Sequence, residues 1–114
     1  MTTYRVGMAI LLAGLALACV SCRRTDVRTV VIRVPQMRNQ ACVERVTDAL
    51  KQARYGVKME TLQADLESRT VTVQYDSMQL SIKNMEFLIA EAGFDANEVP
   101  RDAAAAEKLP AECR

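Results

Sequence analysis

The chain has 114 residues, half of them hydrophobic, with two Phe, three Tyr and no Trp, so a single small domain must build its core from Val, Leu, Ile, Ala and Met. Histidine is absent, which removes the usual general base and the commonest zinc ligand; hydrolytic triads, His-based zinc sites and haem held by His are excluded. Fifteen basic residues stand against fourteen acidic ones, a formal net charge of +1, and nothing in this balance favours nucleic acid.

The chain opens with a targeting pattern. Arg5 precedes the uncharged apolar run from Val6 to Ala18, which is short for a membrane-spanning helix and has the form of a secretory core. Residues 1–18 are therefore expected to be a signal peptide. Leu15-Ala16-Leu17-Ala18-Cys19 resembles a bacterial lipobox, with Cys19 as the lipidated residue and Cys22 as the alternative. The ordinary readings are a plain secretory signal cut near Ala18 and an uncleaved anchor. Lipidation implies an envelope lipoprotein facing the periplasm, held to the membrane by several acyl chains. Val20 after the acylated cysteine is not the Asp of an inner-membrane retention signal, which points to the outer membrane. Residues 19–28, polar and carrying Arg23, Arg24 and Arg28, read as a tether.

From residue 29 the pattern is periodic. Thr29 to Val34 is a β-branched run closed by Pro35, a first strand. Asn39 can cap a helix whose inward side chains are Val43, Val46, Ala49, Leu50 and Ala53, and Gly56 ends it. Cys42 falls in the first turn of this helix, where unpaired N–H groups and the helix dipole favour a thiolate. Met59 to Leu66 alternates, Glu67-Ser68-Arg69 turns, and Val71, Val73 and Tyr75 alternate again, a β-hairpin. Asp65 and Glu67 flank that turn as ordinary solvated residues. A second helix starts near Ser81, faces inward with Ile82, Met85, Leu88, Ile89 and Ala92, and stops at Gly93; Phe94 to Val99 supplies a last strand. The expected fold over residues 29–99 is α+β, a ferredoxin-like βαββαβ sandwich: a four-stranded antiparallel sheet with two helices on one face.

Several separate features resemble the heavy-metal-associated (HMA) domain family of copper-chaperone-like and mercury-binding-protein-like proteins. They are Val34 through Met37 to Cys42, Gly56-Val57 after the first helix, and Asp65-Leu66 with Val71-Thr72-Val73 in the hairpin. Tyr75-Asp76 before the second helix and the closing Ile89-Ala90-Glu91-Ala92-Gly93-Phe94-Asp95-Ala96 complete the set. About three extra residues between the first helix and the second strand shift the register near Tyr55 to Met59. The resemblance implies a soft metal ion as cargo, Cu(I) before Zn(II) or Hg(II), because sulfur ligands suit soft ions. The family motif is Gly-Met-x-Cys-x-x-Cys, and this chain departs from it: Gln36 stands for the Gly, Met37 and Cys42 are kept, and Asn39 takes the place of the first cysteine. Met37 is expected to pack as core under the loop and Asn39 to cap the helix.

The tail, residues 100–114, carries the other thiol, Cys113, after Leu109-Pro110. Some envelope members of the family end similarly. The tail is long enough to fold back and set Cys113 beside Cys42, as a second metal ligand or as a disulfide partner, the latter suited to an exported protein. Three functions follow: a membrane-tethered soft-metal protein of the cell envelope that passes metal to a transporter or other envelope partner; a metal-free protein-interaction module; and a thiol-redox role through Cys42 and Cys113. No phosphate-cradling Gly-rich loop or catalytic base is present, so an enzyme is not expected.

Overall fold

The computed structural model describes residues 24–114; the expected signal segment, and with it the candidate lipidation positions Cys19 and Cys22, lies outside the described residues. The first strand, β1 (Val27–Arg33), starts two residues before the expected Thr29 and sends Val30 and Ile32 into the core. It lies antiparallel to β3 (Thr70–Asp76), which in turn pairs antiparallel with β2 (Val57–Asp65), giving the order β1-β3-β2. Val71, Val73 and Tyr75 of the central strand are buried on the same face, against the helices α1 (Gln40–Lys51) and α2 (Ile82–Glu91).

Both helices begin on side-chain caps. Asn39 accepts from the N–H of Cys42, and Ser81 forms a reciprocal capping box with Asn84. The buried face of α1 is Cys42, Val43, Val46, Ala49 and Leu50, with Ala53 half-buried just beyond the helix. On α2 the buried residues are Met85, Glu86, Ile89 and Ala90, while Ile82 is 40% exposed, so the inward face is turned from the one expected. Partners make the buried carboxylate of Glu86 tolerable: it accepts from Asn97 Nδ2 at 3.1 Å and lies 3.5 Å from Lys83 Nζ.

Two expectations are corrected. The last strand over residues 94–99 does not form, and among the described residues the sheet has three strands rather than four. Instead Ala96 and Val99 bond to each other across a tight turn in which Asn97 adopts φ +51°, and Pro100 has no N–H to donate. Asn97 ties this turn to β1: its N–H donates to the Arg33 carbonyl, and its Oδ1 accepts from the Arg33 N–H, both at 2.9 Å, while Glu98 lies 3.6 Å from the Arg33 guanidinium.

The three extra residues also lie elsewhere. They do not lengthen the connection before β2; they bulge from the strand itself, where five steps from Lys58 to Gln63 face only two from Gln74 to Thr72. The Thr61 hydroxyl repairs the broken ladder, donating to the Lys58 carbonyl at 2.6 Å and accepting from the Gln74 N–H at 2.9 Å. Beyond α2 the tail forms a third helix, α3 (Ala103–Glu107), and a 3-10 turn (Ala111–Cys113).

Candidate functional site

The loop between β1 and α1 is held from both sides. Val34 N–H donates to the Arg69 carbonyl at 2.8 Å, and Met37 N–H donates to the Val34 carbonyl at 3.0 Å. This turns the Met37 side chain fully into the core, beside Val34 and Cys42. Gln36, expected from the sequence to stand where the resembled motif has a glycine, ties this loop to the one after α2. Its Nε2 donates to Asp95 Oδ2 at 2.6 Å and its Oε1 accepts from the Asp95 N–H at 2.9 Å. Asp95 also accepts from the Arg101 N–H at 2.8 Å. That N–H is the main reason the carboxyl is held below its ordinary value; partial burial opposes it, and the Gln36 amide and the Arg101 charge assist. Sequence reading missed this role of Gln36 and Asp95, which pair across 59 residues with no local pattern to reveal it.

Asn39 and Cys42 form one unit at the head of α1. Asn39 Oδ1 accepts from the Cys42 N–H at 3.0 Å, so this side chain serves as the helix cap. Cys42 has no exposed surface.

The tail crosses the domain as a strap. It is fixed at its start by Asp102, whose N–H donates to the Ala90 carbonyl at 2.9 Å and whose carboxylate caps α3. Gly93, at φ +104°, lets α3 lie against the end of α2: a Cβ there would sit 2.8 Å from Ala106 N. Ala106 and Leu109 are buried, Leu109 in the groove beside Ala49, Leu88 and Ala92. The last turn is closed by Arg114, which donates from Nε to the Leu109 carbonyl and from its guanidinium to the Glu107 carbonyl.

Cys113, also fully buried, is brought to Cys42 by this path, and the two form a disulfide with Cα atoms 5.6 Å apart across 71 residues of sequence. The thiolate expected at Cys42 is therefore not present: the sulfur is oxidised, and it lies 3.7 Å from the Glu112 carbonyl oxygen. Of the residues singled out from the sequence, Cys42 and Cys113 are joined, Asn39 touches Cys42 through its backbone, and Met37 lies in the same core. Among the described residues no group of three or more Cys, Asp or Glu side chains is placed to hold a metal ion. No helix among them is long and apolar enough to cross a membrane.

Two helices on one face of an antiparallel sheet, with a sulfur at the head of the first helix, define a ferredoxin-like α+β domain. No family model and no curated protein matches the chain. Among solved structures it is similar to oxidised MerP from Ralstonia metallidurans CH34, at 26% identity and TM-score 0.57 over 63% of this chain and 96% of that one. It is also similar to the CopZ metallochaperone, at 28% identity and TM-score 0.55 over 60% of this chain and 98% of the other. A third likeness is to the mercury-bound form of MerP, the periplasmic protein of the bacterial mercury detoxification system, at 28% identity, TM-score 0.52, and 63% and 96% coverage. The domain is HMA-like.

Proposed function

We propose that this chain is a heavy-metal-binding protein of the bacterial cell envelope that takes a soft ion, Cu(I) or a similar thiophilic metal, between the thiolates of Cys42 and Cys113 once their bond is reduced. The observation that carries the reading is the meeting of the two sulfurs at the head of α1, in a fold shared with a metallochaperone and a mercury-bound protein. With two sulfurs and, among the described residues, no third Cys, Asp or Glu side chain grouped with them, the pair suits an ion content with near-linear coordination and suits tetrahedral zinc poorly. The helix dipole at the head of α1 favours the Cys42 thiolate in the reduced state.

The likeness to a periplasmic protein and the signal-like segment support export, with lipidation at Cys19 tethering the domain to the membrane and a metal-transporting envelope protein as partner. The protein acts by binding and transfer, not by catalysis. Titrating the reduced full chain with Cu(I) and Hg(II) tests this. One ion per chain, lost in Cys42→Ser, is expected; equal binding by the variant overturns the reading.

The complete burial of both sulfurs favours a second reading, a disulfide-stapled HMA-like domain that serves as a metal-free interaction module. The same titration separates the two, because the module leaves the reduced wild type without a site.

A further inference from the structure

We infer that the strap from Ala103 to Arg114 is a redox-released lid, held down by the Cys42–Cys113 bond and set free as a unit when that bond is reduced. The inference rests on the metal reading only for what the freed thiols then take up.

Little else holds the strap. Its helix, Ala103–Glu107, is five residues long and too short to persist without tertiary contacts. The side chains it buries are Ala106, Leu109 and Cys113; Glu107, Lys108 and Glu112 are exposed, and Pro110 is half-buried. The hydrogen bonds of Arg114 run to strap carbonyls, to Leu109 and Glu107 from its side chain and to Ala111 from its N–H, so it shapes the strap without attaching it to the body. The firm attachments lie at its start, where Arg101 N–H meets Asp95 and Asp102 N–H meets Ala90. The junction after Asp102 is thus a fixed hinge, and the far end depends on one covalent bond. Lifting the strap withdraws Leu109 from the groove between α1 and α2, and uncovers Cys42.

The chemistry balances with a dithiol reductant. One of its thiolates attacks a sulfur of the Cys42–Cys113 bond, its second thiol resolves the mixed disulfide, and it leaves as a cyclic disulfide. The two electrons and two protons it loses end on the sulfurs of Cys42 and Cys113. Neither sulfur is exposed, so attack follows a local opening of the strap end. Once reduced, Cys113 sits on a movable arm, which lets the two sulfurs separate from bonding distance to the wider spacing that an ion between them needs.

Hydrogen exchange on the full chain, metal-free and with a chelator present, before and after dithiothreitol, tests the lid. Amides from residue 103 onward are expected to exchange at least about tenfold faster after reduction and to become less protected than those of β1 and β3, which stay protected and quicken only by the factor that the overall loss of stability sets. Cys42 is expected to become open to alkylation in the same step, and Cys113→Ser is expected to reproduce the loosened strap without reductant. Unchanged protection of the strap in the reduced protein overturns the inference, as does loss of protection throughout the sheet, which makes the bond a staple for the whole fold. Since the reduced wild type carries the test, it stands even if the variant fails to fold. A reduced protein that binds metal with its strap still docked would sink the lid and leave the metal reading standing; a lid that opens onto thiols that take no metal would do the reverse.

Discussion

Gly93 and Ala106 touch backbone to backbone: a Cβ at Gly93 would lie 2.8 Å from the nitrogen and 2.9 Å from the Cα of Ala106. Gly93 also sits at φ +104°, where an L side chain is strained whatever the space around it. Gly93→Ala therefore combines backbone strain with the displacement of α3, and is expected to destabilise the oxidised protein by about 2 kcal/mol or more. For a domain of this size that lowers the melting temperature by roughly 10 °C. Thermal unfolding followed by circular dichroism checks it, and a variant that melts with the wild type would mean the strap does not pack as described.

The staple itself has a measurable worth. Closing a loop of 71 residues removes chain entropy from the unfolded state, so reduction, or Cys113→Ser, is expected to lower stability by about 2–4 kcal/mol. Urea unfolding of the oxidised and reduced proteins gives the number. The fall should appear in the midpoint, together with a larger slope for the reduced form, whose unfolded chain is freed of its cross-link and exposes more surface. Equal midpoints would show that the unfolded ensemble gains nothing when the bond is cut.

How much of this architecture was legible in the sequence depends on the range of the interaction. The helices were visible because Val43, Val46, Ala49 and Leu50, like Met85 and Ile89, repeat at helical spacing over a dozen residues. The hairpin was visible through Val71, Val73 and Tyr75, but the bulge in β2 was not: a Thr61 hydroxyl that substitutes for a ladder bond looks like any exposed Thr. The missing strand was hidden for a similar reason. Phe94, Ala96 and Val99 are buried as strand residues would be, yet Asn97 takes a left-handed turn and uses its side chain to bond Arg33. The meeting of Cys42 and Cys113 could only be posed as a choice of outcomes, because spacing along the chain does not fix which sulfurs meet across a fold. Gly93 read as a helix stop; that it also makes room for the strap depends on a contact with Ala106 that no local pattern carries.

Asp95 gives the protein an acid limb. Its folded-state pKa is depressed, chiefly by the Arg101 N–H, so the folded state binds this proton less readily than the unfolded one. The stability this contributes is fully present above the unfolded value, near pH 4, and is lost as pH falls through the lower folded value. Asp95→Asn is expected to cost about 1–3 kcal/mol at pH 7, where a charged acceptor of Gln36 and Arg101 is lost. The gap between variant and wild type should close as pH drops below about 4, and a gap that stays constant to pH 2 would show that the charge is not what matters.

Asn39 is the position where the cap and the missing ligand compete, and Asn39→Cys tests both at once. The substitution removes the side-chain oxygen that accepts from Cys42 N–H at 3.0 Å, which is expected to cost about 1 kcal/mol of stability. In return it places a second thiol three residues before Cys42, one helical turn away, with a far shorter loop to close than the strap requires. Two changes are expected. In the oxidised protein, peptide mapping should find part of Cys42 bonded to the introduced thiol, with Cys113 released; in the reduced protein, Cu(I) should bind more tightly and become insensitive to Cys113→Ser. If Cys42 stays wholly bonded to Cys113 and copper affinity does not rise, the head of α1 lacks the freedom to bring two sulfurs round one ion. The strap would then be the only route by which this domain acquires a second ligand.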